Sequence, residues 1–367
     1  MLHMPPIVIS NHALRHSGGI ERYLLTLVDA LHRRQIRPTV VARRFDRSLP
    51  EYRWVDPVHI NAFGLGGALR DCWVDVQLRR LKARHGWYPL IALNQTAAAD
   101  IAICGGTHPG YLAAVGQAAR WKDRLATALE RRHLKAAAVV IAHSRLMAEQ
   151  VQQFYGIPPD KVQVLYPPVD GQRFRPVDAA QKRALRVRIG LPLDRAVFLL
   201  ASTGHARKGL DLLVRALGNS QQPVLLVVAG RPVELAAPNL RYLGYRSDIE
   251  DVYRAVDCTV MASRYEPFGL VGVESVLCGT PLIGATGMGC MEVLQGDAAT
   301  PFDVDATADA PNSLDAAITS ALTRWRQGTL TVANPLGALR YDPSVDTHLD
   351  VLLSWVARLR AARRAAV

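Results

Sequence analysis

Glu266 and Glu274, with seven residues between them, stand on either side of the turn Pro267-Phe268-Gly269-Leu270. Two such carboxylates can act as general acid and base, as in a hydrolase, or accept hydrogen bonds from a polyol. Phe268 and Gly269 would open a helix whose first backbone N–H groups are available to an anion. Upstream, Gly204-His205-Ala206-Arg207-Lys208-Gly209 sets two cations before an apolar helix, where the helix dipole favours acids. A bound diphosphate would resolve that conflict; the plainer alternative is two solvated surface charges. Gly18-Gly19 sits at a strand-to-helix turn, where a phosphate can approach the backbone or where the chain simply turns tightly. His108 follows Gly105-Gly106-Thr107 and suits either a ligand cleft or an ordinary loop with a structural hydrogen bond.

These residues need a scaffold, and the apolar periodicity supplies one. Short apolar runs at 6–10, 39–42, 90–93, 101–104, 139–142 and 162–165 read as strands, alternating with helical patterns at 20–31, 70–85 and 146–155. The alternation resumes with strands at 196–200, 224–228, 240–245, 258–262 and 282–285 and helices at 210–217, 249–255, 270–277, 313–326 and 346–364. Glu266 is then expected at the carboxyl end of a strand, the edge of an open α/β sheet where ligands collect, with Glu274 about a turn and a half into the next helix. Gly64-Leu65-Gly66-Gly67 has no strand before it and reads as a flexible loop. Residues 111–135 alternate Trp121, Leu125 and Leu129 with Arg120, Lys122, Arg124, Arg131, Arg132 and Lys135. That basic amphipathic pattern fits a helix on anionic lipid or a core helix with a solvated face. Adjacent prolines after Tyr166 cannot continue a central strand, so an interdomain linker is expected within 167–192. The expected division is 1–175, together with the last helix 346–367, and 176–345.

Composition narrows the partners. With 367 residues, 49% of them hydrophobic and 21% charged, the chain can build two cores. Five cysteines without a C-x-x-C pair argue against a disulfide framework or zinc site and read as small core residues. No run is long and apolar enough to span a bilayer and the opening residues lack a secretory pattern, so a cytoplasmic protein is expected. Of the net charge of +12, residues 1–175 carry +11 (24 Lys and Arg against 13 Asp and Glu). Such asymmetry suits a polyanion: nucleic acid, an anionic bilayer or a phosphorylated glycan. The interleaved strand aromatics of RNA-binding sheets are missing, which ranks nucleic acid last.

Taken together, Gly18-Gly19-Ile20-Glu21-Arg22, Tyr166-Pro167-Pro168-Val169-Asp170 with Phe174 and Pro176, Arg207-Lys208-Gly209, the Glu266/Glu274 pair and Gly279-Thr280-Pro281 resemble glycosyltransferase family 4. This retaining, nucleotide-sugar-dependent family has the GT-B fold, and within it the chain is most similar to bacterial lipopolysaccharide core glucosyltransferases. The resemblance implies an α/β protein of two Rossmann-like domains facing a central cleft, with a C-terminal helix crossing back to the N-terminal domain. The first domain would bind the acceptor and the second the donor. In this resemblance Arg207 and Lys208 match the diphosphate-binding pair, Glu274 the ribose-binding carboxylate and Glu266 a residue beside the donor sugar. Phe268, Gly269 and Leu270 match backbone contacts to sugar and phosphate, and Gly19 the loop next to the β-phosphate. His108 aligns with a histidine near the sugar's C6, and Tyr245 and Arg246 border the base. The implied reaction moves a hexose from a UDP-sugar, or alternatively a GDP-sugar, without a metal. The implied acceptor is a phosphorylated glycan or glycolipid of lipopolysaccharide core type, met at the anionic inner-membrane surface by a peripherally associated cytoplasmic enzyme. A nucleotide-sugar 2-epimerase on the same fold and a non-enzymatic nucleic-acid-binding protein are the competing readings.

Overall fold

The computed structural model describes residues 6–62, 64–218 and 220–366. The chain divides into two compact units, Met1–Pro168 with Ser344–Val367, and Val169–Pro343. In chain order the first contains β1 (Val8–Ser10), β2 (Ala13–Leu14), α1 (Gly19–Arg33), β3 (Thr39–Ala42), β4 (Arg44–Phe45), β5 (Asp56–His59) and α2 (Gly67–His85). It continues with β6 (Leu90–Ala92), β7 (Ile101–Cys104), α3 (His108–Ala114), α4 (Trp121–Ala136), β8 (Val139–Ala142), α5 (Arg145–Tyr155) and β9 (Val162–Val164). Seven strands form one parallel sheet in the order β5-β3-β1-β6-β7-β8-β9, while β2 and β4 pair separately. Its inner strands β1, β3, β6, β7 and β8 are buried, near-continuous apolar runs because both faces are covered, while the edge strands β5 and β9 are more exposed. Ile9, Val40, Ile91 and Ile141 point into one core with α1, while Val8, Val41, Leu90 and Val140 point into the other with Val74 and Leu78 of α2.

The second unit contains α6 (Ala179–Ile189), β10 (Ala196–Ser202), α7 (Leu210–Leu213), β11 (Val224–Gly230), β12 (Leu240–Gly244), α8 (Ile249–Ala255), β13 (Cys258–Met261), α9 (Leu270–Leu277), β14 (Leu282–Ala285), β15 (Ala299–Phe302) and α10 (Leu314–Arg326). Six of these elements form a parallel sheet in the order β12-β11-β10-β13-β14-β15. The last helix, α11 (Val345–Ala365), returns to the first unit. Its Leu349, Leu352 and Val356 join the core of α1, Arg34 pairs with Asp346 and Asp350, and Arg360 donates to the carbonyls of Pro6 and Tyr88. The alternating parallel architecture expected from the sequence is the architecture observed.

Several local expectations are corrected. Of the loop expected at 64–67, residues 64–66 are turn and coil, with Gly66 as the N-cap of α2, while Gly67 is the first residue of that helix. The stretch 111–135 is broken into α3 and α4, with left-handed Gly116 after the end of α3. In α4 only His133 and Leu134 are fully buried, and Trp121 and Leu125 are 71% and 40% exposed, which removes the core-helix alternative for its first turns. The helix expected at 210–217 is the short α7, followed by a π turn over Val214–Gly218. Cys72 is exposed, although the other four cysteines are buried as expected. Within 167–192 the two units divide between Pro168 and Val169, and α6 lies in the second unit, where buried Arg186 donates to both oxygens of buried Asp257 at 2.9 and 2.8 Å.

Three buried histidines make the first unit acid-sensitive. His348 of α11 bonds to Tyr166 O at 3.0 Å through Nδ1 and to Tyr23 Oη at 2.7 Å through Nε2. Tyr23 meets His143 edge-on at 5.0 Å, and His133 Nδ1 accepts from Thr96 N at 2.7 Å. Burial lowers the pKa of His348 and His133 to about 4 and that of His143 to about 3. The unfolded chain therefore takes up protons below about pH 6.5 that the folded chain refuses. This contribution to stability is complete above that pH and is lost progressively as the pH falls toward 4. Urea unfolding followed across this range should show the loss, with a shallower slope in His348→Gln; an unchanged slope would remove His348 from the account.

Candidate active site

The second sheet reverses its strand order between β10 and β13. In open α/β sheets ligands bind outside the carboxyl ends of the strands that flank such a switch. The loop leaving β10 carries Arg207 and Lys208, and the loop leaving β13 carries Glu266 through Gly269. The two loops are joined. Arg207 Nη1 donates to Glu266 Oε2 at 3.0 Å and to Tyr265 O at 2.6 Å, and Arg264 N–H donates to Arg207 O at 3.0 Å. Lys208 is 8% exposed, with Nζ bonded to Ala201 O at 2.9 Å. Their close approach requires glycine at 209, where φ is +69° and a Cβ would lie 2.2 Å from Ala262 O. The conflict expected between two cations and a helix N-terminus is thus met partly inside the protein, since Glu266 already balances Arg207.

Gly269 does not open the helix as expected. It is the N-cap of α9 at φ +91°, with no side-chain cap over the first turn, and Leu270 is the first helical residue. Phe268 is buried, edge-on to Tyr341 at 6.3 Å. Beneath the turn, Gly289 N–H donates to Glu266 O at 3.1 Å and Cys290 N–H to Phe268 O at 2.6 Å. Glu274, one turn into α9, is 3% exposed and accepts from Tyr253 Oη at 3.0 Å; Phe174 packs against the Tyr253 ring at 6.1 Å. Tyr245 and Arg246 follow β12 on the same carboxyl edge. Tyr245 is 72% exposed, while Arg246 pairs with Asp248 at 2.6 Å and has its Nε buried without a partner.

Arg207, Lys208, Glu266, Phe268, Gly269, Leu270 and Glu274 are therefore gathered at one sheet edge. Gly19 and His108 belong to the first unit. Gly19 is the first residue of α1, behind N-cap Gly18 and with no side-chain cap. His108 corrects the loop expectation, for it begins α3 behind N-cap Thr107. Its Nε2 is 2.9 Å from Asp123 Oδ1, and its N–H donates to Glu130 Oε2 at 3.0 Å. Burial raises the pKa of Glu130, while hydrogen bonds from Tyr155, His108 and Gln95 oppose the shift. Sequence reasoning missed Tyr253 and the packing of Gly289, because long-range contacts leave no periodic signal; the glycines 287 and 289 were the one visible hint. The arrangement has the parts needed to hold a phosphorylated, hydroxylated ligand: fixed cations, an uncapped helix start and a buried carboxylate.

Residues 17–173 match the profile of Glycosyltransferase Family 4, and residues 195–324 that of glycosyl transferases group 1. A probable transglycosylase of Burkholderia thailandensis is 44% identical over 361 residues, 98% of each chain. The chain belongs to glycosyltransferase family 4. Among solved structures, WaaG, a glycosyltransferase involved in lipopolysaccharide biosynthesis, superposes with TM-score 0.75 at 15% identity, over 94% of this chain and 95% of its own. HepE of Anabaena, solved with UDP and glucose, gives TM-score 0.72 at 19% identity over 96% and 100%. The two parallel α/β units of this family 4 enzyme are thus the two domains of the GT-B fold. Among the described residues, no helix is long and apolar enough to cross a membrane.

Proposed function

We propose that this family 4 enzyme transfers a hexose, with retention, from a UDP-sugar to a lipid-linked or lipopolysaccharide core glycan. The observation that carries the reading is the joining of the Arg207-Lys208 loop to the 266–274 turn at the switch point of the second sheet. Breaking the anomeric bond to a diphosphate builds negative charge on the leaving oxygen. Arg207, Lys208 and the first N–H groups of α9 stabilise that charge. Glu274 accepts the ribose hydroxyls, with Tyr253 holding its carboxylate in place, and Glu266 orients Arg207 while it lies beside the donor sugar. Tyr245 and Arg246 border the base, and His108, oriented by Asp123, contacts the transferred sugar. The leaving phosphate takes the acceptor's proton as the acceptor attacks the face it departs from. Incubating the purified protein with UDP-sugars and core-type glycolipids should release UDP only when an acceptor is present. Donor conversion without acceptor would replace this reading with an epimerase.

Gly19 offers a local test. Apart from its chain neighbours and the backbone of its own helix, no atom lies within 4 Å of the position a Cβ would occupy there. Gly19→Ala should therefore fold with an unchanged or slightly raised melting temperature. It should nevertheless lower kcat/KM for the donor by about tenfold or more, because the β-phosphate needs that space. Unchanged kinetics would take Gly19 out of the donor site.

For α4 we propose contact with the anionic inner-membrane surface. Trp121 and Leu125 are exposed one turn apart, and Lys122 Nζ lies 5.5 Å from the Trp121 ring centroid. Apolar side chains flanked by cations enter the headgroup region of such bilayers. Vesicles containing phosphatidylglycerol should sediment with the wild type and leave Trp121→Glu/Leu125→Glu in the supernatant; equal sedimentation would refute this.

A further inference from the structure

The first sheet has a switch point of its own, between β1 and β6, with β3 and β5 on one side and β7 to β9 on the other. The chain leaving β1 carries Asn11 and His12, and the chain leaving β6 carries Asn94. A hydrogen bond of 2.9 Å from Leu93 N–H to Ser10 O keeps the two ends side by side. Asn11 and Asn94 are 2% and 4% exposed, and each has its side-chain Oδ1 buried without a hydrogen-bond partner. Buried polar atoms are nearly always satisfied, so two orphaned acceptors at adjacent strand ends call for a donor.

Positive charge lies beside them. Beyond β1 and β3 the chains stay paired, for Arg43 N–H donates to His12 O at 3.2 Å and Ala13 lies opposite Arg44. Arg43 Nε and His12 Nδ1 are also buried without partners. Burial and then Arg70 hold the Arg43 guanidinium below its usual range, with Arg44 and Arg15 adding to the effect against Asp71. Burial and then Arg43 lower His12 in the same way, with Asp71 and Glu21 opposing. Asp71 is itself engaged by Arg70 at 2.9 Å. The four arginines thus outnumber the two carboxylates around them, and an anion would relieve the repulsion.

We infer that this edge of the first sheet is a subsite for an anionic sugar, whose hydroxyls donate to Asn11 and Asn94 and whose phosphate or carboxylate lies against Arg43, with Arg15 and Arg70 at the rim. The inference rests on the glycosyltransferase reading only in naming that sugar as part of the acceptor. It concerns residues separate from Arg207, Lys208 and the 266–274 turn, and it makes a charged acceptor sugar the preferred one.

The test is a calorimetric titration of the full-length protein with glucose 6-phosphate, glucuronate and glucose. It is run on the wild type saturated with UDP and on Lys208→Ala, so that neither measurement reports the phosphate site of the second sheet. At least one of the two anionic sugars should bind about tenfold or more tighter than glucose, and which one does identifies phosphate or carboxylate as the recognised group. Arg43→Gln should abolish that advantage and Arg43→Lys should retain part of it. Asn94→Ala should weaken all three sugars alike. Equal binding of charged and neutral sugars, or an anionic advantage that survives Arg43→Gln, overturns the inference. UDP binding, measured in a separate titration of UDP-free protein, reports on the donor reading independently.

Discussion

Lys208→Ala is expected to lower UDP-sugar turnover by about 10²–10³-fold, with most of the loss in kcat. The reason is geometric. Lys208 is 8% exposed and tethered to Ala201 O at the carboxyl end of β10, so its ammonium is fixed before any substrate arrives. A cation preorganised in this way stabilises charge that develops on the leaving diphosphate more than charge already present in the bound donor. Arg207 differs, because part of its charge is already spent on Glu266. Glu266→Gln should therefore free Arg207 to bind the ground-state diphosphate, lowering KM while it lowers kcat. Steady-state kinetics with a competent acceptor separates the two. A Lys208→Ala enzyme within about threefold of wild type would fall far below the contribution ordinarily made by such a group and would sink the leaving-group assignment.

The largest effect on stability is expected at Asp257, far in sequence from the linker-like stretch it secures. Its carboxylate accepts from Arg186 through both oxygens, from Val197 N–H at 2.9 Å, and lies 3.1 Å from Lys182 Nζ. Asp257→Ala leaves a buried guanidinium without its counter-charge and should destabilise the second unit by about 3–5 kcal/mol. Replacing both partners by apolar residues of similar size, Arg186→Met with Asp257→Leu, should cost far less, because the expensive state is an unpaired buried charge. Urea unfolding of the single and double variants checks this. A double variant as unstable as Asp257→Ala would show that shape, and not charge pairing, holds α6 to the sheet.

The sequence alone determined the alternating parallel α/β architecture, because strands covered on both faces must be short continuous apolar runs, as at Val139–Ala142 and Cys258–Met261. It also determined which chemistry-bearing residues stand at strand ends, since a strand-to-helix turn with Gly209 or Gly269 is a local feature. It could not show that Glu266 neutralises Arg207, that Tyr253 holds Glu274, or that Asn11 and Asn94 meet at one edge. Those pairings join positions far apart in the chain, and the strand order of each sheet decides them. Local pattern misled where a tertiary neighbour overruled it. The run 111–135 reads as one amphipathic stretch but breaks near Gly116, and the 207–208 cations looked unbalanced only until their carboxylate, 59 residues away, was folded against them. Periodicity reports which face of an element is buried; only the tertiary structure decides which loops come together over a switch point, because that choice is made by packing between elements and not by any residue's near neighbours.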